Sequence, residues 1–352
     1  MERYNFYEQR AEDATFDLSS AMQLQEVEPG QEYYPSDALK KAVNVALMLQ
    51  KPLLLTGAPG TGKSELAYHV AHHFGWEKPE VFVTRTDSTA TDLLYRYDSL
   101  AHFNRVNMQK AVNIQNSGDD VLTAEKIEKM FIKYVALGRA ICDSVGQNKE
   151  KQPRRRVVLI DEIDKAPRDL PNDILTTIEL MTFDVPELNT CSDEECSIYE
   201  KKGNPALKPV VILTSNSEKT LPEAFLRRCV FFHIDMPDEN QLRKILLSKQ
   251  QLFHNMPLTI EEAAAFITLF NKISKIVNGK KPATHELILW VWWMKKQGLT
   301  PDDIYTFGNN TAGSETLEKR NNTILSGMSV LTKESRDLKA VHEAIGSNAI
   351  VP

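Results

Sequence analysis

The feature that most constrains this chain is residues 53–66, which read LLLTGAPGTGKSEL. Leu53, Leu54 and Leu55 form an apolar run that predicts a short buried strand. A glycine-rich loop follows, and apolar residues then resume at helical spacing. Glycines permit a loop that turns successive backbone N–H groups inward, and the helix N-terminus adds a dipole that favours anions. Strand, loop and helix in direct succession therefore predict a phosphate-binding site.

The loop fits the pattern G-x-x-x-x-G-K-[ST] at every required position. Lys63 supplies a positive charge for the β- and γ-phosphates of a nucleotide. The Ser64 hydroxyl is a hard oxygen ligand that suits Mg²⁺. The predicted cofactor-binding residues are Gly57, Ala58, Pro59, Gly60, Thr61, Gly62, Lys63, Ser64 and Glu65.

A second motif lies at residues 157–162, where four apolar residues precede two acidic ones. The apolar run predicts a strand buried on both faces. Asp161 and Glu162 follow at its carboxyl end, where ligands bind in open α/β sheets. An unpaired buried charge would be costly. We therefore expect Asp161 to join Ser64 in the Mg²⁺ shell and Glu162 to polarise the attacking water. Two surface acids after a strand are the alternative.

Three further apolar runs complete a predicted sheet of five strands. They lie at residues 81–84, 210–214 and 230–234, and we expect the first of them to be buried. Asn216 follows the second run, where its amide can hydrogen-bond a water or the γ-phosphate; an asparagine in a turn is the alternative. Arg227 and Arg228 precede the last run.

Between these strands the apolar spacing predicts helices, and one basic run is ambiguous. The predicted helices cover residues 92–97, 100–110, 124–140 and 171–183. Arg154, Arg155 and Arg156 could contact phosphate or a partner, but we interpret them as a solvated lead-in to a strand. Beyond residue 238 the pattern is helical, and ELILWVWWMKK predicts a heavily buried helix. Residues 306–323 are predicted to form a loop, and residues 329–344 one more helix.

Composition restricts the class of protein. A length of 352 residues allows about two domains. The net charge of −6 gives no basic field for nucleic acid. The N-terminus lacks the features of a signal peptide, and the longest apolar runs fall far below the ~20 residues of a membrane span. Cys142, Cys191, Cys196 and Cys229 show no disulfide framework, so we expect a cytoplasmic protein.

The order of these motifs resembles that of the AAA+ ATPases. Within this group, GAPGTGKSELA, LIDEIDKAP, NDILTTIELMTFDVPE, TSN and LPEAFLRRCVFFHID resemble the MoxR branch and its McrB- and midasin-like relatives. The resemblance covers residues 33–300. It implies an α/β P-loop NTPase fold, with a parallel five-stranded sheet flanked by helices and a smaller all-α lid domain after it. The expected divisions are a polar N-terminal extension, 1–32, the nucleotide-binding core, 33–237, and the lid with the C-terminal tail, 238–352.

The resemblance also implies roles for single residues. Gly57 to Ser64 match the Walker A loop, and Asp161 and Glu162 match Walker B. Asn216 matches the sensor 1 position. Arg228 aligns best with the arginine finger that reaches the neighbouring subunit's ATP, and Arg227 is the alternative. With Lys63, these residues make up the catalytic set that the resemblance implies: Glu162, Asn216, Arg228 and Lys63.

The resemblance extends to two further segments, and the chain departs from the family pattern in the second of them. Residues 183–208 resemble the hairpin that precedes sensor 1, which often contacts substrate in a central pore. Residues 282–286 lie where the family often carries a sensor 2 arginine. This chain has none there, and Glu286 takes its place.

The implied function is that of an ATPase that binds ATP and Mg²⁺ in a homo-oligomeric, hexameric ring and remodels a partner protein. MoxR-like proteins often work with a partner that bears a von Willebrand A domain. Two alternatives stay open. The chain could be a nucleotide switch that gates assembly with little turnover, or a DNA-associated motor of the McrB kind, which its negative charge disfavours.

Overall fold

The computed structural model describes most of the chain. The described residues are 28–113, 124–146, 152–191, 196–249, 251–253, 256–305, 307 and 315–346. The chain divides into two units. The sheet unit comprises Asp37–Gly57 and Leu66–Ile234, and the helical unit comprises Met1–Ser36, Ala58–Glu65 and Asp235–Pro352.

The sheet unit contains eleven described strands. They are β1 (Leu53–Gly57), β2 (Glu80–Val83), β3 (Tyr95–Tyr97), β4 (Ile132–Tyr134), β5 (Val157–Asp161), β6 (Thr182–Asp184), β7 (Thr190–Cys191), β8 (Cys196–Ser197), β9 (Glu200–Lys202), β10 (Val210–Ser215) and β11 (Val230–Ile234). Its described helices are α1 (Asp37–Leu49), α2 (Glu65–His73), α3 (Ala90–Leu94), α4 (Ser99–Asn113), α5 (Ala124–Phe131), α6 (Ala136–Val145), α7 (Leu170–Leu180) and α8 (Glu223–Leu226). Glu65, the first residue of α2, is grouped with the helical unit.

Five of these strands form one parallel sheet in the order β11-β1-β10-β5-β2. The register pairs Leu55 of β1 with Thr214 of β10, and Leu213 of β10 with Ile160 of β5. The carboxyl ends of β1, β10 and β5 therefore lie side by side at one edge of the sheet. This arrangement confirms the predicted five-stranded parallel sheet flanked by helices.

Strand β2 corrects one prediction. We expected Val81 and Val83 to be buried, but 42% and 52% of their surfaces are exposed. The reason is that β2 lies at the edge of the sheet, where β5 is its one neighbour among the described strands. Helix α6 packs against β2, and the two valines alternate with the less exposed Phe82. An edge strand can leave one face uncovered, whereas the central strands β1 and β5 cannot.

An insertion after β2 corrects the predicted helices 92–97 and 124–140. Tyr95–Tyr97 and Ile132–Tyr134 form strands β3 and β4, which pair antiparallel. The first predicted helix therefore ends at Leu94, and the second is interrupted by β4, which separates α5 from α6. Residues with strand preference, such as Tyr95 and Tyr134, lie at both interruptions. Helix α6 begins after β4 and approaches α3 so closely that a Cβ at Gly138 would lie 2.0 Å from the Leu94 carbonyl oxygen.

A hairpin occupies the segment before β10, as the resemblance implies. Strands β6 and β9 pair antiparallel, and β7 pairs with β8. Glu128 of α5 ties the hairpin to the insertion, since it accepts hydrogen bonds from Tyr134 (2.7 Å), Tyr199 and Lys201 (2.6 Å). Burial favours the neutral form of Glu128, but these hydrogen bonds outweigh it and lower the pKa of the carboxyl.

The basic run before β5 also corrects a prediction. Arg156 is not a solvated residue, because only 3% of its side chain is exposed. Its guanidinium pairs with Asp143 of α6, which is similarly buried, and with Glu77 (2.7 Å) and Glu80 (3.1 Å). A buried guanidinium needs several acceptors, and these carboxylates provide them. Arg154 pairs with Glu77 as well and is more exposed.

The helical unit has its own core. Its described helices are α9 (Glu239–Ser248), α10 (Ile260–Ile276), α11 (Thr284–Lys296), α12 (Pro301–Tyr305), α13 (Glu315–Leu331) and α14 (Ser335–Gly346). Trp290 of α11 is fully buried and meets Phe266 of α10 edge to face, which confirms the predicted tryptophan-rich core helix. The predicted loop 306–323 is wrong from Glu315 onward, where α13 begins. The predicted helix 329–344 is instead the end of α13 followed by α14.

Two predictions remain without a structural outcome. Residues 1–27 lie outside the described part of the chain, so the extension 1–32 is described only from residue 28. The domain boundaries at 33 and 238 stay predictions. No helix among the described residues combines the length and apolar character that crossing a membrane requires.

Candidate functional site

The phosphate loop follows β1 directly. Gly57, Gly60 and Gly62 have φ angles of 148°, 78° and 85°, a region that residues with a side chain rarely adopt. Lys63 is 7% exposed, and its ammonium donates to the Ala58 carbonyl oxygen at 2.9 Å. The Thr61 hydroxyl donates to the same oxygen at 2.8 Å. The glycines thus adopt the unusual backbone angles that the loop sequence predicts.

A segment at the start of α11 lies against this loop within the helical unit. The backbone N–H of His285 donates to the Gly60 carbonyl oxygen at 3.3 Å. A Cβ at Gly60 would lie 3.0 Å from the Ala283 Cβ and 3.3 Å from Glu286 Oε2. Gly60 is therefore required both by its backbone angle and by the closeness of this segment.

The segment before α1 also contacts the loop, which sequence reasoning missed. A Cβ at Gly62 would lie 2.9 Å from the ring of Tyr33. The backbone N–H of Gly30 donates to Glu65 Oε1 at 2.7 Å. Burial, with a smaller contribution from the charge of Glu65, raises the pKa of Tyr33 well above its usual value. In the sequence, no periodic apolar pattern surrounds Tyr33, so the contact could not be predicted from the pattern.

In the sheet unit, Asp161 is the last residue of β5 and Glu162 follows it directly. Glu162 adopts a left-handed backbone conformation, with φ 58° and ψ 47°, which is uncommon for a residue other than glycine and is concentrated at functional sites. The hydroxyl of Thr214, which is 1% exposed, donates to Asp161 Oδ1. The Thr214 hydroxyl oxygen also accepts the backbone N–H of Glu162 at 3.0 Å. Thr214 was not predicted as a site residue.

Two further side chains reach the Glu162 carboxylate. Asn216 Nδ2 donates to Glu162 Oε1 at 3.4 Å, so the structure brings these two predicted residues together. Lys165 Nζ donates to Glu162 Oε2 at 2.7 Å. This hydrogen bond raises the pKa of Lys165. Lys165 escaped the sequence analysis, although its spacing of three residues from Glu162 allows the contact within one turn.

Asp164 holds the turn that carries Asn216. It is 2% exposed, and its Oδ2 accepts the backbone N–H of Glu218 at 2.9 Å. Within the turn, Ser217 has a φ of 61° and donates its backbone N–H to Ser215 Oγ at 2.9 Å. The turn after β10 is thereby fixed to the segment after β5.

The two candidate arginines differ in their surroundings. Arg228 Nε lies 3.4 Å from Glu179 Oε1 of α7, and its side chain is 42% exposed. Arg227 pairs with Glu223 one helical turn away and is 75% exposed. The ion pairs described for these arginines are thus with glutamates of α8 and α7. The choice between them as a finger stays a prediction.

The two predicted metal ligands suit a magnesium nucleotide by their chemistry. A hydroxyl at Ser64 and a carboxylate at Asp161 are hard oxygen ligands, which Mg²⁺ prefers. The part of the chain that the structure describes has no cluster of three or more His, Cys, Asp or Glu side chains able to hold a metal. Mg²⁺ is commonly held by one or two protein oxygens together with phosphates rather than by a protein cage.

The fold and the loop define the class of this protein. A parallel five-stranded sheet whose first strand leads into a glycine-rich loop with Lys63 is the P-loop fold of the AAA+ class. A family model described as AAA domain (dynein-related subfamily) matches residues 52–229, just over half of the chain. The chain belongs to this family. Its members generally bind ATP with Mg²⁺ and are typically ATPases.

Other comparisons gave weaker similarities. Three solved structures of Thermotoga maritima RuvB, two of them point mutants, are each 14% identical to the chain. For one mutant the TM-score is 0.41, and the match covers 88% of this chain and 75% of the RuvB chain. For the other mutant the TM-score is 0.40, and the match covers 95% of this chain and 79% of the RuvB chain. For the structure titled Holliday junction branch migration motor the TM-score is 0.39, and the match covers 89% of this chain and 75% of the RuvB chain. No curated protein matched the chain. The assignment rests on the family model.

Proposed function

We propose that this chain is a MoxR-like AAA+ ATPase that hydrolyses ATP with Mg²⁺ in a ring oligomer and remodels a partner protein. The observation that supports hydrolysis most strongly is the Glu162 carboxylate. It follows β5 in a left-handed backbone conformation and accepts a hydrogen bond from Asn216 of the neighbouring strand end. Such a costly conformation persists where the surrounding contacts determine it and is typical of functional sites.

The proposed roles follow from position and chemistry. The backbone amides of residues 57–64 and the Lys63 ammonium bind the phosphates. Ser64 and Asp161 hold Mg²⁺, which neutralises charge on the phosphates when it is bound. Glu162 orients and polarises the attacking water, and Asn216 keeps the Glu162 carboxylate in place. Arg228 serves a neighbouring subunit, so the proposed hydrolysis depends on assembly.

The experiment that tests this proposal is the substitution Glu162→Gln. The amide keeps the shape of the side chain but cannot accept a proton, so turnover should fall at least ~100-fold. ATP affinity should stay within about twofold of the wild type, because Glu162 is not a proposed phosphate ligand. Phosphate release and equilibrium ATP binding measure the two effects. Glu218→Gln is the matched control, since it removes an acid from the nearby turn after β10.

The result that would reject the proposal is unchanged turnover in Glu162→Gln alongside intact folding. If Glu218→Gln reduced turnover equally, the effect would belong to the local charge rather than to a water-activating group. If Glu162→Gln instead binds ATP without turnover, capture of a partner by the ATP-loaded variant would identify the client. A protein with a von Willebrand A domain is the proposed candidate.

One observation favours a second candidate function, an assembly switch with little turnover. Lys165 forms an ion pair with Glu162 at 2.7 Å, which occupies the carboxylate that must accept a proton. If this pair restrains hydrolysis, wild-type turnover should be low and Lys165→Met should raise it. Equal or lower turnover in Lys165→Met would leave the ATPase as the better account.

A further inference from the structure

Glu286 is an acidic residue held against the proposed phosphate loop. Its Oε2 atom lies 3.3 Å from the position that a Cβ at Gly60 would occupy. The same oxygen accepts the backbone N–H of Ala283 at 3.1 Å, so the carboxylate points back over the start of α11. The side chain is 21% exposed. A negative charge at the loop is unexpected, because a triphosphate would bring further negative charge to the same place.

Lys333 is the cation nearest to this carboxylate among the described ion pairs. Its Nζ atom lies 3.7 Å from Glu286 Oε1 and donates to the Val330 carbonyl oxygen at 2.9 Å. Lys333 lies in the short connection between α13 and α14. The second contact holds its ammonium at the end of α13, where the helix dipole also favours a cation.

We propose that Glu286 and Lys333 form a charge pair that sets how strongly the phosphate loop prefers ATP to ADP. The inference rests on the proposed function, because it requires the loop to bind nucleotides. The Glu286 carboxylate opposes each negative charge that enters the loop, and Lys333 offsets that opposition. ATP carries one more phosphate than ADP, so the pair acts more strongly on ATP. The Glu286 carboxylate is partly buried, so salt screens its charge less than that of a fully exposed group.

If Glu286 served only as a helix cap, its charge would not affect the preference for ATP over ADP. As the third residue of α11, Glu286 caps the helix by accepting the Ala283 N–H. A glutamine at this position can still accept that hydrogen bond, but it carries no charge. The substitution Glu286→Gln therefore separates the cap from the charge. Lys333→Met tests the pair from its other side, on a residue that is 40% exposed and whose replacement should not disturb the core.

The experiment measures the dissociation constants of Mg-ATP and Mg-ADP for the wild type, both single variants and the double variant at constant ionic strength. Glu286→Gln should tighten ATP binding about fivefold or more, with a smaller change for ADP. Lys333→Met should weaken ATP binding by a similar factor. The double variant should return towards the wild-type ratio, because both charges of the pair are then absent. Glu261→Gln and Lys339→Met are matched controls that change the same charges on exposed positions of α10 and α14.

An unchanged ratio of ATP to ADP affinity in both single variants would overturn the proposal. Glu286 would then be a helix cap alone. A change of equal size in the control variants would overturn it as well, since the effect would come from net charge. These outcomes differ from a failure of the proposed function, which would show as a wild-type protein that binds neither nucleotide.

Discussion

The hydroxyl of Thr214 donates a hydrogen bond to the carboxylate of Asp161 across neighbouring parallel strands. The same hydroxyl oxygen accepts the backbone N–H of Glu162 at 3.0 Å. One buried side chain therefore positions both acidic residues that follow the apolar run of β5. Their arrangement depends on the register of β10 against β5, and so on residues far away in the sequence.

We predict that Thr214→Val lowers both stability and turnover. Valine has the same shape, but it leaves the Glu162 N–H and an Asp161 oxygen without this partner, at a cost of about 1–3 kcal/mol. ATPase turnover should fall at least ~10-fold, because the two carboxylates lose their common support. Urea denaturation and phosphate release measure the two effects. Thr214→Ser should retain most of both, and Thr176→Val on the exposed face of α7 is the neutral control. Wild-type turnover in Thr214→Val would show that the hydroxyl is not needed.

The glycines of the phosphate loop allow a prediction with an internal control. Gly62→Ala combines a positive φ of 85° with a Cβ 2.9 Å from the Tyr33 ring. Nucleotide affinity should fall at least ~10-fold, since the loop must shift to relieve the contact. Gly298→Ala shares the strain, with a φ of 73°, but its Cβ meets nothing within 4 Å. It should cost about 1–2 kcal/mol of stability and leave nucleotide binding intact. Equal nucleotide affinities in the two variants would argue against a role for the loop conformation.

Much of the fold could be predicted because its signals are local. The five strands of the sheet coincide with short, mainly apolar runs, and the two motifs begin at the ends of β1 and β5. The sequence pattern does not show that β2 lies at the edge of the sheet. Burial of Val81 and Val83 depends on what covers the sheet there, and β-branched residues are common in both edge and central strands.

Part of the candidate site could also be predicted because its sequence signals are local. Lys63, Asp161, Glu162 and Asn216 belong to short motifs with a physical meaning. Thr214 and Tyr33 were missed because their roles arise from tertiary contacts. Arg156 was misjudged because its three acidic partners lie up to 79 positions away in the sequence, on elements that only the fold brings together.

We predict that Arg228→Ala separates nucleotide binding from turnover. A finger arginine acts on the transition state in a neighbouring subunit and contributes ~10³-fold or more to turnover. ATP affinity of the isolated subunit should therefore stay unchanged while turnover of the assembled protein collapses. Arg227→Ala is the matched control from the same turn and should retain activity. Loss of activity in Arg227→Ala alone would assign the finger to Arg227, and full activity of a strictly monomeric wild type would exclude any finger.

Two thiols with raised pKa values, the buried Cys142 and the half-buried Cys229, predict how stability depends on pH. Burial raises the pKa of Cys142 to about 12, with smaller effects of Lys201, which lowers it, and Glu128, which raises it. Burial likewise raises the pKa of Cys229 to about 12. An unfolded thiol ionises near pH ~8.5, so the stabilising effect is complete below that pH and is lost as the pH rises towards the folded value.

Chemical denaturation at pH ~8 and pH ~10.5 should therefore give a lower free energy of unfolding at the higher pH. The double variant Cys142→Ala, Cys229→Ala should show a shallower decrease between the same two values, although its stability at neutral pH should be lower. An equally steep decrease in the double variant would attribute the effect to other groups, such as the buried tyrosines.

The central claim is that the loop around Lys63 binds the phosphates of ATP. It is tested most directly by equilibrium ATP binding to the wild type and to Lys63→Met, with Lys41→Met on the exposed side of α1 as the control. The methionine keeps most of the side-chain length but removes the ammonium that now contacts the Ala58 carbonyl. We predict Mg²⁺-dependent binding by the wild type and by Lys41→Met, and at least ~100-fold weaker binding by Lys63→Met. Equal ATP affinity in all three proteins would contradict the account.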